Sequence, residues 1–197
     1  MTGPGGRSSS TRPPVAALLL TPGASATRDH SQLVAIGEAV SALGVEVERI
    51  DLPRTSSVPR LVRTIVDAAN ALATRTGLPA ERVVLGGRSL GGRMCSMAVA
   101  EGWPAAGLLL VSYPLHPPGR PDRLRTAHFP ALRVPCLFVS GTKDAFATQP
   151  ELESATADVP GTVSHVWLQG ADHGLRGRDG PVAEASVQWM AHRVTKF

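Results

Sequence analysis

The stretch VVLGGRSLGGRMCSMAVA, from Val83 to Ala100, passes from a β-branched apolar run through four glycines into a run of small residues. Residues 87–91 within it form the pattern G-x-S-x-G, with Ser89 at the centre. This order is typical of a strand that turns sharply into a helix, exposes the serine hydroxyl and points the N–H of Leu90 toward a developing oxyanion. We therefore predict that Ser89 is a nucleophile and that Leu90 is an oxyanion-hole donor. The alternative is a glycine-rich loop that serves only as a turn.

Short apolar runs alternate with helical patterns along the rest of the chain. The apolar runs predict strands at 15–20, 45–50, 82–87, 107–114, 134–141 and 162–170. Helical spacing predicts helices at 30–44, 58–77, 90–101, near 149–158 and near 180–193. We therefore expect an α/β fold, with a mostly parallel sheet of about six strands and helices on both faces. We expect no cap domain, because the longest irregular stretch, 116–133, is too short to form one.

Composition sets the broad class of the protein. The chain has 197 residues, of which 43% are hydrophobic and 18% charged, as in an ordinary globular protein. We place a disordered tail at 1–14, rich in Gly, Ser, Pro, Thr and Arg, and a single α/β domain at 15–197. The net charge is +4, but the arginines are scattered and form no basic run, so we expect no nucleic-acid partner.

The apolar segments and the cysteines bear on localisation. No apolar stretch approaches the ~18 residues that a membrane span requires. The arginines and apolar run near the start resemble a signal peptide, but the run at 15–20 is too short, and we favour a buried strand. Cys95 and Cys136 lie in apolar surroundings without metal-ligand spacing, as expected of free thiols in a reducing compartment. We expect a cytoplasmic protein without a metal ion or cofactor.

Two further chemistry-bearing residues follow predicted strands. Asp144 comes directly after the strand at 134–141, and His173 comes directly after the strand at 162–170. Open α/β sheets bind ligands at the carboxyl ends of their strands, so we expect Ser89, Asp144 and His173 to meet at that edge. In this prediction His173 takes the proton from Ser89, and Asp144 fixes the tautomer of the imidazole.

Each of these roles has rival residues. Asp172 is next to His173, but adjacent residues on a turn usually point apart, and we interpret Asp172 as a turn former. Cys95 falls inside the helix after Ser89, where a buried thiol is expected to be inert. We interpret the remaining histidines, His30, His116, His128, His165 and His192, as structural or solvated. For His116 and His128, which flank the basic loop, a role in lining a pocket is the alternative.

The loop after the first predicted strand is the source of the second oxyanion donor. This loop reads TPGASAT (21–27), and the N–H of Ala24 is the candidate donor. Gly23 permits a tight backbone there and is a candidate substrate contact. An ordinary turn at Pro22-Gly23 is the alternative.

Two arginines flank the serine. Arg88 and Arg93 are candidates for binding an anionic group of the substrate, together with His116 as a further candidate contact. Surface pairing with Glu101 or Asp122 is the alternative for either arginine.

Five motifs, in this order, resemble those of the α/β-hydrolase superfamily: TPGAS, GGRSLGG, YPLHPPG, SGTKD and GADHG. The chain resembles in particular the small, cap-less hydrolases of the dienelactone-hydrolase type, over nearly its whole length past residue 14. The resemblance implies a hydrolase with Ser89, Asp144 and His173 as catalytic residues. Two departures stand out. Dienelactone hydrolase itself uses a cysteine nucleophile, and many relatives carry a His-Gly pair where this chain has Pro22-Gly23.

We therefore expect a serine hydrolase that cleaves a small carboxylic ester or thioester through an acyl-enzyme intermediate. The alternative is a non-catalytic binding or scaffold protein on the same fold. A small serine peptidase is disfavoured, because peptidases of this fold usually add a propeller or cap. The sequence leaves open the acyl group, the leaving group and the oligomeric state.

Overall fold

The computed structural model describes residues 17–193. The predicted tail at 1–14 lies outside the described residues, as do Val15 and Ala16 of the first predicted strand. Between Ala17 and Arg193, no helix has both the length and the apolar character needed to cross a membrane.

The sheet in the described part of the chain has six strands, and all neighbouring strands run parallel. In chain order the strands are β1 (Ala17–Thr21), β2 (Glu46–Arg49), β3 (Val83–Arg88), β4 (Gly107–Val111), β5 (Cys136–Gly141) and β6 (Val163–Leu168). Their spatial order is β2-β1-β3-β4-β5-β6. The first strand, β1, therefore lies in the interior of the sheet. Strand β2 pairs with one side of β1, and β3 to β6 follow in order on its other side. The carboxyl ends of β1 and β3 form the switch point, where open α/β sheets bind ligands.

Helices cover both faces of this sheet. They are α1 (Ser31–Ser41), α2 (Val58–Thr76), α3 (Leu90–Ala100), α4 (Gln149–Thr156) and α5 (Asp179–Ala191). Helices α1 and α5 pack together on one face, and α2 and α3 pack together on the other. The predicted α/β fold, with a parallel sheet between two helical layers, is confirmed.

The interior strands explain why their sequences are apolar throughout. Leu18 and Leu20 of β1 belong to the core under α1 and α5, whereas Ala17 and Leu19 belong to the core under α2 and α3. All four side chains are fully buried. A strand covered on both faces has no polar side, and each buried leucine contributes about 1.5–3 kcal/mol. The strands beneath the switch point are therefore firmly held.

Helix α1 ends earlier than the predicted range of 30–44. The N–H groups of Leu43 and Gly44 bond to carbonyls only three residues back, at 2.9 and 3.0 Å, which tightens the last turn beyond α-helical geometry. Gly44, with a φ of 78°, then leads the chain out of the helix. At the other end, the ring of His30 accepts a hydrogen bond from the N–H of Gln32 at 3.4 Å. His30 is therefore a helix-capping residue, in agreement with its predicted position at the helix start.

Candidate active site

Ser89 lies on the turn between β3 and α3 in an unfavourable backbone conformation. Its φ of 49° and ψ of −116° fall outside the regions that non-glycine residues favour. Two backbone hydrogen bonds hold the turn: the Ser89 N–H donates to the Val111 carbonyl at 2.8 Å, and the Arg93 N–H donates to the Ser89 carbonyl at 3.0 Å. The surrounding structure therefore enforces a conformation of a kind that clusters at functional sites.

The glycines around Ser89 provide steric clearance. A Cβ on Gly91 would lie 2.5 Å from both the Pro22 carbonyl oxygen and Thr21 Oγ1, and a Cβ on Gly87 would overlap Thr21 Oγ1 as well. The end of β1 therefore packs directly against the start of α3. This close approach brings the loop after β1 to the side of Ser89.

A hydrogen-bonded chain runs from Ser89 to Asp144 through the ring of His173. Ser89 Oγ lies 2.9 Å from His173 Nε2, and His173 Nδ1 lies 2.8 Å from Asp144 Oδ2. The Asp144 side chain is fully buried, whereas 18% of the His173 side chain is exposed. The structure thus brings together the three residues that follow β3, β5 and β6, at the carboxyl edge of the sheet.

Phe146 restrains both ends of the interaction between the acid and the imidazole. Its N–H donates to Asp144 Oδ1 at 2.8 Å, and its ring stacks on that of His173 with the centroids 4.0 Å apart. Phe146 is not among the residues that the sequence predicts for this site. The one indication in the sequence is an aromatic side chain two positions after Asp144, in the segment KDAF.

The N–H groups of Leu90 and Ala24 are the candidate oxyanion donors. Both residues line the cleft beside Ser89. Within residues 17–193, neither N–H has a hydrogen-bond acceptor. Leu90 begins α3, so its N–H also belongs to the positive end of the helix dipole. Both N–H groups are therefore without another acceptor in the described structure, as an oxyanion donor requires.

Arg88 connects the serine turn to the loop that carries His173. Its Nε donates to Gln32 Oε1 at 3.0 Å, and a terminal nitrogen donates to the His173 carbonyl at 2.9 Å. Gln32, which is 1% exposed, donates in turn to the carbonyls of the two residues after His173, at 2.9 and 3.1 Å. A Cβ on Gly23 would lie 3.2 Å from the Arg88 guanidinium, so this glycine gives the arginine room. Gln32 is not among the residues that the sequence predicts for this site, because nothing in the sequence of α1 indicates this contact.

Two cavities meet in front of Ser89. The cleft at the serine has a volume of about 400 Å³. A second cavity of about 740 Å³ extends from it toward the loop at 51–55 and is also lined by Gly23. The residues that line both cavities are Ala24, Ser25 and Leu90.

Two arginines in the cleft wall do not form the surface ion pairs that were the alternative to substrate binding. Arg88 and Arg93 both line the cleft, and neither forms an ion pair with Glu101 or Asp122. Asp122 pairs instead with Arg120, at 3.3 Å.

His116 lies outside the lining of the cleft, so the structure does not bring this candidate contact to the serine. Its ring is buried and lies 2.8 Å from the Pro117 carbonyl and 3.4 Å from a carboxylate oxygen of Glu151. The backbone N–H of His116 donates to the Phe146 carbonyl at 3.1 Å. His116 therefore stabilises the loop that carries Asp144, without lining the cleft.

Other candidate residues have structural partners. The Asp172 carboxylate accepts the Gly174 N–H at 2.9 Å, as expected of a turn former. The ring of mid-strand His165 lies 2.9 Å from Thr156 Oγ1. Burial raises the pKa of Cys95 to about 12, so this thiol stays protonated at neutral pH. In the part of the chain that the structure describes, no cluster of three His, Cys, Asp or Glu side chains is placed to hold a metal ion.

Comparisons with known proteins agree with this architecture. A family model described as an alpha/beta hydrolase domain matches residues 14–197. Est1E from Butyrivibrio proteoclasticus superposes with a TM-score of 0.78 at 14% identity, over 96% of this chain and 92% of its own. The dienelactone hydrolase from Anabaena variabilis gives a TM-score of 0.74 at 19% identity, over 92% and 88%. An alpha-beta serine hydrolase homologue from Coxiella burnetii gives 0.73 at 17% identity, over 90% and 88%. At these identities the structural likeness shows a shared fold.

Proposed function

This chain belongs to the family of alpha/beta hydrolase domains, and we propose that it is a serine hydrolase of small carboxylic esters or thioesters. The observation that carries the proposal is the chain of hydrogen bonds from Ser89 Oγ through His173 to Asp144. A hydroxyl, an imidazole and a buried carboxylate in this order are what nucleophilic serine catalysis requires.

The first half-reaction transfers the acyl group to the enzyme. His173 Nε2 accepts the proton of Ser89 as Oγ attacks the carbonyl carbon of the substrate, and the Asp144 carboxylate stabilises the imidazolium through Nδ1–H. The carbonyl oxygen becomes an oxyanion, which the N–H groups of Leu90 and Ala24 stabilise. The imidazolium then protonates the leaving alkoxide or thiolate as its bond to the acyl carbon breaks.

The second half-reaction releases the acid. His173 Nε2 takes a proton from water, and the resulting hydroxide attacks the acyl-enzyme carbonyl through the same oxyanion site. The bond to Ser89 Oγ then breaks, and His173 returns the proton to that oxygen. The products are a carboxylic acid and the free enzyme.

A non-catalytic scaffold on the same fold has no use for two features of this site. The positive φ of Ser89 is a conformation that costs about 1–3 kcal/mol. Asp144 and His173, which lie on two different loops, must also be held within hydrogen-bonding distance of each other. Catalysis accounts for both, since the strained turn presents the hydroxyl and the pair activates it.

Labelling by a fluorophosphonate probe tests this proposal. We expect a single covalent adduct on Ser89 in the native protein and none in Ser89→Ala. Ser112→Ala is the matched control, because Ser112 also has a positive φ at a strand end but its buried hydroxyl has no partner within residues 17–193. This control should label like the native protein, and it should hydrolyse p-nitrophenyl esters. A folded native protein that stays unlabelled would refute the proposal.

A further inference from the structure

We infer that the substrate carries an anionic oxygen group, a carboxylate or a phosphate, and that Arg93 and Arg125 bind this group in the cleft in front of Ser89. The inference rests on the proposed function, because it specifies the substrate class of the same site. Its basis is a pair of arginines that share the cleft with the nucleophile and have no acidic partner among the residues that the structure describes.

The two arginines reach the cleft from different elements. Arg93 lies in the first turns of α3, and Arg125 lies on the loop between β4 and β5. Both line the same cleft as Ser89 and His173. Two guanidinium groups that converge from separate elements on the space in front of a nucleophile are placed to contact a substrate rather than each other.

Neither guanidinium is neutralised by another side chain in the described part of the protein. Arg93 Nε is buried and has no hydrogen-bond partner among residues 17–193, and Arg125 donates to the Pro114 carbonyl at a long 3.4 Å. Within residues 17–193, neither side chain forms an ion pair with an acid. A partly buried cation without a counter-ion is unfavourable. An anionic substrate group would supply the missing counter-ion.

Two polar side chains beside these arginines, His128 and Tyr113, are uncharged at neutral pH. Burial, with a smaller contribution from the charge of Arg93, lowers the pKa of His128 to about 4, and burial raises the pKa of Tyr113. The carboxylate at the site, Asp144, is already bound by His173 and by the Phe146 N–H. The positive charge of the cleft wall is therefore not balanced by these side chains.

Arg88 differs from this pair, although it lines the same cleft. Its Nε already donates a hydrogen bond to Gln32 Oε1, and one terminal nitrogen donates to the His173 carbonyl. The planar fork of a guanidinium binds two oxygens of a carboxylate or phosphate only when its donors are available. Arg88 is thus a positioning residue, and Arg93 and Arg125 are the residues that bind the anionic group.

A binding experiment separates this inference from catalysis. Ser89→Ala protein is titrated calorimetrically with three methyl esters that differ in the group at the far end: monomethyl glutarate, the methyl ester of phosphonobutyric acid, and neutral dimethyl glutarate. We expect one of the anionic esters to bind at least roughly tenfold tighter than the neutral diester. The anion that binds more tightly identifies the group. Equal binding of all three esters, or no binding of any, would overturn the inference.

Arginine variants assign the preference to residues. Arg93→Leu and Arg125→Leu, each in the Ser89→Ala background, should reduce the preference for the anionic ester by roughly tenfold. Arg123→Leu is the matched control, because Arg123 is exposed on the same loop and does not line the cleft. Two variants on different elements keep the test valid if one of them fails to fold, which thermal unfolding will show. An undiminished preference in both folded variants would contradict the assignment.

Turnover measurements complete the test in protein that retains Ser89. The ratio of kcat/KM for p-nitrophenyl hemiglutarate over p-nitrophenyl butyrate should fall by about tenfold in Arg93→Leu and Arg125→Leu but not in Arg123→Leu. An unchanged ratio would count against the anion site. If Ser89 fails to react with a fluorophosphonate while the anionic ester still binds, the proposed function fails and the anion site stands.

Discussion

Asp144 and Asp172 show how the placement of a single carboxylate decides what it does. Both lie in loops at the carboxyl edge of the sheet, and Asp172 is the sequence neighbour of His173. Yet the imidazole bonds to Asp144, which is buried, whereas the Asp172 carboxylate turns back to the Gly174 N–H. The direction that the backbone gives to each side chain therefore outweighs proximity along the chain.

Asp144→Asn should reduce kcat by about three orders of magnitude while the protein remains folded. The amide can donate to Nδ1 and thereby favour the tautomer in which Nε2 carries the proton and cannot accept one from Ser89. Steady-state kinetics with a p-nitrophenyl ester measures the loss.

Asp172→Asn is the control for this variant, because the asparagine oxygen can still accept the Gly174 N–H and preserve the turn. Its kcat should stay close to that of the native enzyme. A loss in Asp172→Asn as large as that in Asp144→Asn would argue against the assigned roles.

At the scale of elements, loops at one edge of the sheet are tied together by side chains from distant parts of the chain. Gln32 of α1 holds two carbonyls of the loop after β6, including that of Leu175, and also receives the Arg88 Nε–H. Leu175 has an unfavourable φ of 48°, so this loop needs such support. The position of His173 relative to Ser89 therefore depends on α1.

Gln32→Leu should lower kcat by roughly tenfold or more with a smaller change in KM, because His173 loses its restraint relative to Ser89. The free energy of unfolding should fall by about 2–4 kcal/mol, since buried carbonyls lose their donor. Steady-state kinetics and urea unfolding measure the two effects.

Two further variants show whether the loss is specific. Gln32→Glu keeps an acceptor for Arg88 but cannot donate to the loop carbonyls, so it should recover little of the lost kcat. Gln188→Leu, on the exposed face of α5, replaces a glutamine whose side chain donates to exposed Glu184, and it should behave like the native protein. A native kcat in folded Gln32→Leu would contradict the positioning role.

Across the whole molecule, partly buried histidines link stability to pH. Burial lowers the pKa of His30, His128 and His165 below the ordinary value of 6.5, to about 4 for His128. The unfolded chain therefore binds more protons than the folded one between these values. The stability that comes from keeping the rings neutral is complete above pH 6.5 and is lost as the pH falls toward 4.

The free energy of unfolding should therefore decrease from about pH 7.5 to about pH 5, as measured by urea denaturation. His128→Gln should show a smaller decrease, because it removes the most strongly shifted of these rings. His192→Gln, at the exposed end of α5, should keep the native pH dependence. Identical pH dependence in the native protein and in His128→Gln would exclude this linkage.

The α/β architecture and the positions of Ser89, Asp144 and His173 after their strands could be predicted from the amino-acid sequence. These features are local. Apolar runs without a polar alternate predict strands covered on both faces, and glycines on either side of Ser89 predict a crowded turn. Because all the strands are parallel, residues that follow them necessarily reach the same edge of the sheet. The exact ends of elements, such as the early end of α1, depend on individual hydrogen bonds and were not predicted.

The side chains that surround these three residues depend instead on how distant parts of the chain pack together. Gln32 reaches a carbonyl 142 positions away in the chain, Phe146 stacks on His173, and Arg125 joins Arg93 at the cleft. No periodicity or motif encodes such meetings, because each depends on how two separately formed loops or helices pack at the sheet edge. The same reason explains why Arg88 supports the histidine loop, a role that its position beside the serine did not reveal.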